Sequence, residues 1–194
     1  MLKAELRRIM RERKRLFTQQ QLDEQSLAVI TRLQQHPRFL QAHTVLLYHS
    51  LPDEVNTHSL LQPSSLHPQP SSLHPQPSTF NHPPSTLLLP HVISDSDMEL
   101  RRYTVPDDLR RGAFGIMEPC GELFTDYERI DLIVVPGMAF DAEGHRLGRG
   151  RGYYDRLLAR VPNNIYKIGL CFPFQLVDHV PTDENDISMD EVLS

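Results

Sequence analysis

The stretch Ile130–Val135, I-D-L-I-V-V, carries the clearest strand signal in the sequence. This run is short and apolar, which is typical of a strand in a parallel sheet that is covered on both faces. Pro136 and Gly137 follow it, and a helix is expected from about Tyr153 to Arg160. A buried strand that leads through a loop into a helix indicates an α/β fold.

Apolar periodicity extends this pattern over the rest of the chain. Apolar residues from Leu2 to Phe17 keep a helical period, and a T-Q-Q-Q capping box at Thr18 begins a second helix that Pro37 is expected to close. Further strands are predicted at His43–His49, Thr86–Ile93, Glu99–Thr104 and Ile165–Phe172, and the G-A-F-G-I-M-E-P segment from Gly112, with its two glycines, is predicted to be a loop. The sequence therefore predicts a single three-layer α/β domain over residues 1–194, with a Rossmann-like, mostly parallel central sheet.

Composition excludes several classes of protein. The chain has 194 residues and a formal net charge of -5, which argues against a general nucleic-acid binder. Its two cysteines, Cys120 and Cys171, lie far apart, so neither a disulfide framework nor a zinc knuckle is expected. The sequence shows no signal-peptide core and no apolar run near the roughly 20 residues that cross a membrane. We therefore expect a soluble, cytoplasmic protein.

A repeat interrupts the α/β pattern. The heptapeptide Q-P-S-S-L-H-P occurs at Gln62–Pro68 and again at Gln69–Pro75, and it decays after Gln76. Two prolines in each repeat exclude a helix, so at most a short helical turn at His58–Leu61 precedes the repeats. We predict a Pro/Ser/His-rich insertion at about 62–85 that forms a disordered loop. A proline-rich docking motif is the alternative, although no P-x-x-P spacing with flanking basic residues supports it.

The segment Arg146–Asp155, R-L-G-R-G-R-G-Y-Y-D, follows the central strand at the position where open α/β sheets bind their ligands. Alternating glycines allow positive φ and leave backbone N–H groups accessible to an anion. Arginine guanidinium groups and the start of the next helix add positive charge, so the segment predicts a phosphate-binding loop. The glycines are Gly148, Gly150 and Gly152, and the arginines are Arg146, Arg149 and Arg151.

This glycine loop matches neither a Walker A motif nor a dinucleotide-binding G-x-G-x-x-G motif. Spacing alone leaves a flexible basic turn as an alternative, because glycine punctuates many turns. Asp155 at the start of the helix favours the phosphate site. A carboxylate beside a phosphate needs a cation between them, which makes Asp155 a candidate Mg²⁺ ligand. Its alternative role is the acidic charge that is common in a first helical turn.

The longer segment Pro136–Asp155 resembles the signature of the 5-formyltetrahydrofolate cyclo-ligases, which are also called methenyltetrahydrofolate synthetases. Four other collinear segments resemble motifs of the same family, so the likeness covers nearly the whole chain apart from the repeats. They are K-A-E-L-R from Lys3, D-E-V-N-T from Asp53, G-A-F-G-I-M-E-P from Gly112, and Q-L-V-D-H-V-P-T-D-E-N-D-I-S-M-D-E-V from Gln175.

The resemblance implies a fold, an activity and a metal. The fold is Rossmann-like, of the NagB/RpiA/CoA transferase type. The activity converts 5-formyltetrahydrofolate and ATP into 5,10-methenyltetrahydrofolate, ADP and phosphate through a phosphorylated formyl group, with Mg²⁺ as the cofactor. Such phosphoryl transfer depends on positioning and charge neutralisation more than on a protein nucleophile. The implied partners are these two small molecules only, and the implied state is a monomer.

The resemblance also assigns site residues. One departure is Arg151, because the family often has Gly or Lys there. Another is His49, because the family usually has an apolar residue there. The assigned ATP-binding residues are Lys3, Arg7, Arg146, Gly148, Arg149, Gly150, Arg151, Gly152, Tyr153 and Tyr154, of which Arg149, Arg151 and Tyr153 are also assigned to catalysis. The folate-binding residues are His49, Glu54 and Tyr153, and the Mg²⁺ ligands are Asp155 and Asp186.

Two other functions stay open at this point. The chain could be a non-catalytic relative that keeps a nucleotide or folate pocket and acts as a sensor or an RNA-associated module, which the basic first helix supports. It could also carry out related ATP chemistry on another formyl or carboxyl substrate. The D-E-V-N-T segment at Asp53 argues against that reaction. No zinc site is expected, because the ten histidines lack metal-ligand spacing.

Overall fold

The computed structural model describes residues 1–62, 84–112 and 117–194. Its centre is a seven-stranded sheet with the order β11-β10-β7-β1-β2-β3-β6, and two small two-stranded sheets, β4-β5 and β8-β9, accompany it. The strands are β1 (Thr44–Leu46), β2 (Thr86–Val92), β3 (Met98–Tyr103), β4 (Leu109–Arg111), β5 (Met117–Pro119), β6 (Leu123–Phe124), β7 (Leu132–Pro136), β8 (Ala139–Phe140), β9 (Arg146–Leu147), β10 (Tyr166–Leu170) and β11 (Glu191–Leu193).

The central sheet is mostly parallel. Strands β11, β10, β7, β1 and β2 run in one direction, with Leu46 opposite both Leu88 of β2 and Ile133 of β7. Strands β3 and β6 add an antiparallel edge beside β2. The predicted parallel α/β sheet is therefore confirmed, and the carboxyl ends of β1, β2, β7 and β10 lie at a single edge.

Within residues 1–62, 84–112 and 117–194, four α-helices accompany the sheet. They are α1 (Lys3–Lys14), α2 (Gln19–Gln35), α3 (Pro37–Gln41) and α4 (Tyr153–Leu158), and a 3₁₀ turn covers His58–Leu61. The capping box is confirmed: the Gln21 N–H donates to Thr18 Oγ1, and the Thr18 N–H donates to Gln21 Oε1. Pro37 does more than close α2, because it occupies the first turn of α3, where its missing N–H costs no hydrogen bond.

Both faces of the sheet are covered, as the apolar run in β7 predicts. All five residues of β7 are buried, and successive residues point to opposite faces. On one face Leu132 and Val134 pack in a core with α2, and on the other Ile133 and Val135 pack with α4. This arrangement gives three layers.

Helix α1 lies against the β8-β9 hairpin rather than over the centre of the sheet. Its Leu6 and Met10 form a small core with Ala139, Leu147 and Val180. The packing brings the basic N-terminal helix close to the segment that follows β9, which is the glycine loop.

Two regions differ from the expectations from sequence. The G-A-F-G-I-M-E-P segment was predicted to be a loop, but Met117–Pro119 is a strand because it pairs with β4; residues 113–116 lie outside the described residues. The C-terminal Glu191–Leu193 forms an edge strand that the sequence did not predict. Apart from Gln62, Pro84 and Ser85, the predicted insertion at about 62–85 also lies outside them. No helix in the described part of the chain is both long and apolar enough to span a membrane.

Candidate active site at the carboxyl edge of the sheet

A cavity of about 380 Å³ lies at the carboxyl edge of the sheet. The loops after β1 and β7 and the start of α4 form much of its wall, as expected for a ligand site in an open α/β sheet. Its lining residues include Tyr48, His49, Leu51, Glu54, Val92, Met98, Glu118, Arg146, Gly148, Arg149, Arg151, Gly152, Tyr153, Tyr154 and Asp155. Most of the residues assigned from the sequence therefore meet in one place.

The glycine loop adopts the backbone conformation that its glycines predict at two of three positions. Gly150 has φ of 103° and Gly152 has φ of 69°, both in the region that L-residues avoid. Gly148 is not in this region. Gly148 is needed for steric reasons instead, because a Cβ at this position would lie 3.0 Å from Arg146 Nη1.

Arg146 and Asp155 form a partly buried ion pair between the two ends of the loop. Arg146 Nη2 lies 2.7 Å from Asp155 Oδ1, and Nη1 donates to the Pro136 carbonyl oxygen. The Arg146 side chain is only 3% exposed, and its Nε has no partner among the described residues. A buried guanidinium N–H without an acceptor is costly, so this group fits an anion that enters the cavity.

Arg149 connects the glycine loop to the loop after β1. Its Nε lies 3.0 Å from Glu54 Oε1, and its Nη2 lies 2.6 Å from Asp53 Oδ1. Glu54 Oε2 also accepts the Leu51 N–H. Burial raises the pKa of Glu54, and the charge of Arg149 offsets only part of that rise.

The two basic residues assigned on α1 have different surroundings. Arg7 Nε donates to the Gly148 carbonyl oxygen at 2.8 Å, so Arg7 lies at the glycine loop. Lys3 instead forms ion pairs with Asp183 and Asp186, at 2.6 and 2.5 Å. Burial lowers the pKa of Lys3, but hydrogen bonds and charges from both aspartates raise it overall. Among the assigned ATP residues, Lys3, Arg7 and Gly150 are absent from the cavity wall described above, and so is the assigned metal ligand Asp186.

The two carboxylates assigned to Mg²⁺ each contact a cationic side chain. Asp155 accepts from Arg146, and Asp186 accepts from Lys3. Burial raises the pKa of Asp186, but hydrogen bonds from Lys3 and the Asp183 N–H, and the charges of Lys3 and Arg146, lower it overall. Within the described ranges, neither Asp155 Oδ2 nor Asp186 Oδ1 has a hydrogen-bond partner. Carboxylate oxygens of this kind fit the hard-ligand preference of Mg²⁺.

Two consecutive, half-buried tyrosines border the cavity. The Tyr153 hydroxyl donates to the Ser94 carbonyl oxygen at 3.0 Å, so its ring spans from α4 to the end of β2. Burial strongly raises the pKa of Tyr154, so this side chain stays neutral. The Arg146 guanidinium lies 5.6 Å from the centre of the Tyr154 ring.

His49 lies between the main cavity and a neighbouring one of about 360 Å³, which also contacts α2. Its ring centre is 4.1 Å from that of His58. Burial, with a contribution from His58, lowers the pKa of His49 to about 4. A neutral imidazole in this position presents no charge to the cavity.

Sequence reasoning assigned no role to Glu118, which also lines the cavity. Its Oε2 lies 3.1 Å from His91 Nδ1, and its buried Oε1 has no hydrogen-bond partner in the described ranges. The only sequence signal was its place in the G-A-F-G-I-M-E-P motif. Tyr48 was also missed; its hydroxyl donates to the Val55 carbonyl oxygen and so fixes the loop that carries Glu54.

Comparison with known proteins identifies the family. The model of the 5-formyltetrahydrofolate cyclo-ligase family matches residues 1–194. The chain is 28% identical to the 5-formyltetrahydrofolate cyclo-ligase of Escherichia coli K12 over 96% of either chain. It is 27% identical to that of Mus musculus, over 98% of this chain and 92% of the mouse chain.

Solved structures agree with this assignment. The 5,10-methenyltetrahydrofolate synthetase of Aquifex aeolicus superposes with a TM-score of 0.79 and 36% identity, over 100% of this chain and 89% of that one. The synthetase of Mycoplasma pneumoniae has a TM-score of 0.68 at 21% identity over 98% of its chain, which supports the fold alone. This chain belongs to the 5-formyltetrahydrofolate cyclo-ligase family.

Proposed function

We propose that this protein catalyses the ATP- and Mg²⁺-dependent cyclisation of 5-formyltetrahydrofolate to 5,10-methenyltetrahydrofolate, with release of ADP and phosphate. The observation that carries the proposal is the contact of Arg149 with Glu54 within one cavity. It brings a phosphate-type glycine loop next to a buried carboxylate suited to the N–H edge of a pterin. We further propose that the enzyme works in the cytoplasm as a monomer.

The reaction needs activation of a poor leaving group. The formyl oxygen attacks the γ-phosphorus of ATP, the bond to the β-γ bridging oxygen breaks, and ADP leaves. N10 of the folate then attacks the activated formyl carbon and loses its proton, and the C–O bond to the phosphate breaks. Both steps build charge on phosphate oxygens, so cationic side chains and backbone N–H groups are the groups that the enzyme must supply.

The residues around the glycine loop suit that task. Arg146 offers a buried Nε without a partner, and Arg149 and Arg151 line the same cavity. Arg7 approaches from α1 and supports the loop through the Gly148 carbonyl oxygen. Asp155 and Asp186 would hold Mg²⁺, which would neutralise phosphate charge when bound. Lys3 is a positioning residue in this proposal, because its ion pair orients Asp186.

The folate side uses neutral and anionic groups. Glu54 would accept hydrogen bonds from the pterin N–H groups, and its position is fixed by Arg149 and the Leu51 N–H. Neutral His49 and the ring of Tyr153 would contact the flat pterin surface. Arg149 therefore touches both halves of the site, which would help align the formyl oxygen with the γ-phosphate.

The test is an absorbance assay for methenyltetrahydrofolate with the wild type and Asp155→Ala side by side. We expect product only when 5-formyltetrahydrofolate, ATP and Mg²⁺ are all present, and at least a hundredfold lower turnover in the variant with an unchanged circular dichroism spectrum. No product from folded wild type would refute the proposal and favour a non-catalytic binder. The basic face of α1 supports that alternative less than the sequence indicated, because both Lys3 and Arg7 contact other parts of the chain.

A further inference from the structure

Asp141 and His145 of the β8-β9 hairpin lie close to His179 of a C-terminal segment, and none of the three lines the cavity. Asp141 Oδ2 lies 3.0 Å from His145 Nδ1 and 4.0 Å from His179 Nδ1. One ligand atom of each residue lies within 4.8 Å of the others, and the described ranges contain no second group of three His, Cys, Asp or Glu side chains so arranged. The linear spacing of the histidines concealed this cluster, because His179 comes from a distant segment.

Asp141 holds both histidine-bearing segments in place. Its Oδ1 accepts the backbone N–H of His145, and its Oδ2 accepts the backbone N–H of Val180, both at 2.9 Å. Burial raises the pKa of Asp141, but these hydrogen bonds and the contact with His145 lower it overall, so the carboxylate is ionised. The carboxylate therefore fixes the backbone of His145 and that of Val180, the residue after His179, so it holds the two histidine-bearing segments beside each other.

The geometry and chemistry suit a transition metal better than Mg²⁺. Two ligand atoms that are each about 2 Å from one ion lie about 3 to 4 Å apart, so the separations here need only small side-chain rotations. Imidazole nitrogen selects Zn²⁺, Ni²⁺ or Cu²⁺ over hard cations. Metal binding through Nδ1 would need the His145 proton on Nε2, so that the ion takes the place of a proton between Nδ1 and the Asp141 carboxylate. The exposed His179 leaves room for water in the remaining positions.

We propose that Asp141, His145 and His179 form a site for a borderline divalent transition-metal ion, for which Zn²⁺ is the probe. The site would be structural. His145 directly precedes Arg146, and Val180 packs against α1 in the small core with Ala139 and Leu147. A bound ion would thus tie the hairpin below the glycine loop to the segment around Val180. This inference is independent of the proposed reaction.

Calorimetric titration of the full chain with Zn²⁺ tests the site. The titration is made without nucleotide or folate and in excess Mg²⁺, which occupies the oxygen-ligand sites. We expect one Zn²⁺ per chain, with affinity at least about tenfold weaker in His145→Ala and in His179→Ala. The matched control is His43→Ala, an exposed histidine elsewhere, which should bind like the wild type. Zn²⁺ should also raise the Tm of the wild type and of the control but not that of His179→Ala.

The repeats carry His67, His74 and His82, so they need their own variant. Replacing all three with alanine should leave the single Zn²⁺ site intact. The proposal fails if the wild type binds no Zn²⁺, or if the triple variant loses binding that His179→Ala retains. Because His179 is 72% exposed, its alanine variant should fold, and its circular dichroism spectrum checks this. None of these outcomes depends on whether the chain has cyclo-ligase activity.

Discussion

Arg149 Nε lies 3.0 Å from Glu54 Oε1, and Arg149 Nη2 lies 2.9 Å from the same oxygen. One guanidinium therefore joins the glycine loop after β9 to the loop after β1, across 95 residues of sequence. The Glu54 side chain is only 9% exposed, so its charge depends strongly on this partner. A substitution of either residue should therefore alter the properties of the other, so this pair is the first target for mutagenesis.

Glu54→Gln should weaken folate binding more than ATP binding. A charge-assisted hydrogen bond to a buried carboxylate is worth about 1.5 to 3 kcal/mol, so we expect the KM for 5-formyltetrahydrofolate to rise roughly ten- to a hundredfold. The KM for ATP should change less. Steady-state kinetics with each substrate varied in turn measures both, and Asp53→Asn is the control because it leaves Glu54 intact. Equal changes in both KM values would contradict a folate-specific role.

Arg149→Met should change the pH dependence of the enzyme. The raised pKa of Glu54 means that it loses its charge at a higher pH than an exposed glutamate does, and Arg149 opposes that loss. Without Arg149 the acid limb of kcat/KM for folate should therefore move to higher pH. Arg149→Lys keeps a positive charge and should shift the limb less. An acid limb at the same pH in both variants would show that another group controls it.

His49 should titrate far below an ordinary histidine. Its pKa of about 4, against the usual 6.5, predicts that NMR resonances of its ring stay those of neutral imidazole at pH 6. Between about pH 6.5 and 4 the unfolded chain binds this proton and the folded chain does not, so folding stability falls as the pH is lowered. His49→Leu should remove the contribution of His49 to this loss of folding stability. Denaturant titrations at pH 7 and pH 5 can measure the difference. An equal loss in the variant would mean that His49 is not its source.

Local signals predicted much of the fold and part of the site. The apolar run at Ile130–Val135 predicted the central strand, which spans Leu132–Pro136, and Thr18 with Gln21 predicted the start of α2. The positive φ values of Gly150 and Gly152 follow from their lack of a Cβ. These features depend on neighbouring residues, and so they can be read from a short window of sequence.

Features that depend on distant contacts could not be predicted in this way. Glu191–Leu193 is a three-residue strand only because it pairs with β10. Lys3 approaches Asp186 across 183 positions, and no periodicity encodes that contact. The family resemblance assigns Lys3 to ATP, whereas its ion pairs with Asp183 and Asp186 indicate that it also organises the C-terminal acidic segment.

Asp186→Asn and Asp183→Asn form a matched pair that tests the second Mg²⁺ ligand. Both carboxylates contact Lys3, but Asp183 is 71% exposed and Asp186 only 18%. We expect Asp186→Asn to raise the Mg²⁺ concentration needed for half-maximal turnover at least tenfold and Asp183→Asn to change it little. Because the pKa of Asp186 is lowered from its usual value of 3.8, the ionised carboxylate stabilises the folded protein above about pH 3.8. This contribution to folding stability is lost as the pH falls below that value. Similar Mg²⁺ curves for the two variants would remove Asp186 from the metal site.

Gly150→Ala should damage the glycine loop more than a change of one methyl group suggests. With φ of 103°, an L-residue at this position is strained by about 1 to 2 kcal/mol, and its Cβ would lie 3.3 Å from the Arg7 guanidinium carbon. The loop would relax by moving its N–H groups and Arg7, so we expect the KM for ATP to rise about tenfold while the KM for folate changes less. Arg7→Met is the companion variant, because Arg7 supports the loop through its hydrogen bond to the Gly148 carbonyl oxygen. The two substitutions disturb the same contact. The rise in the KM for ATP in the double mutant, expressed as a free energy, should therefore be smaller than the sum of the two separate effects. Strict additivity in the double mutant would mean that Arg7 and the loop act on ATP independently.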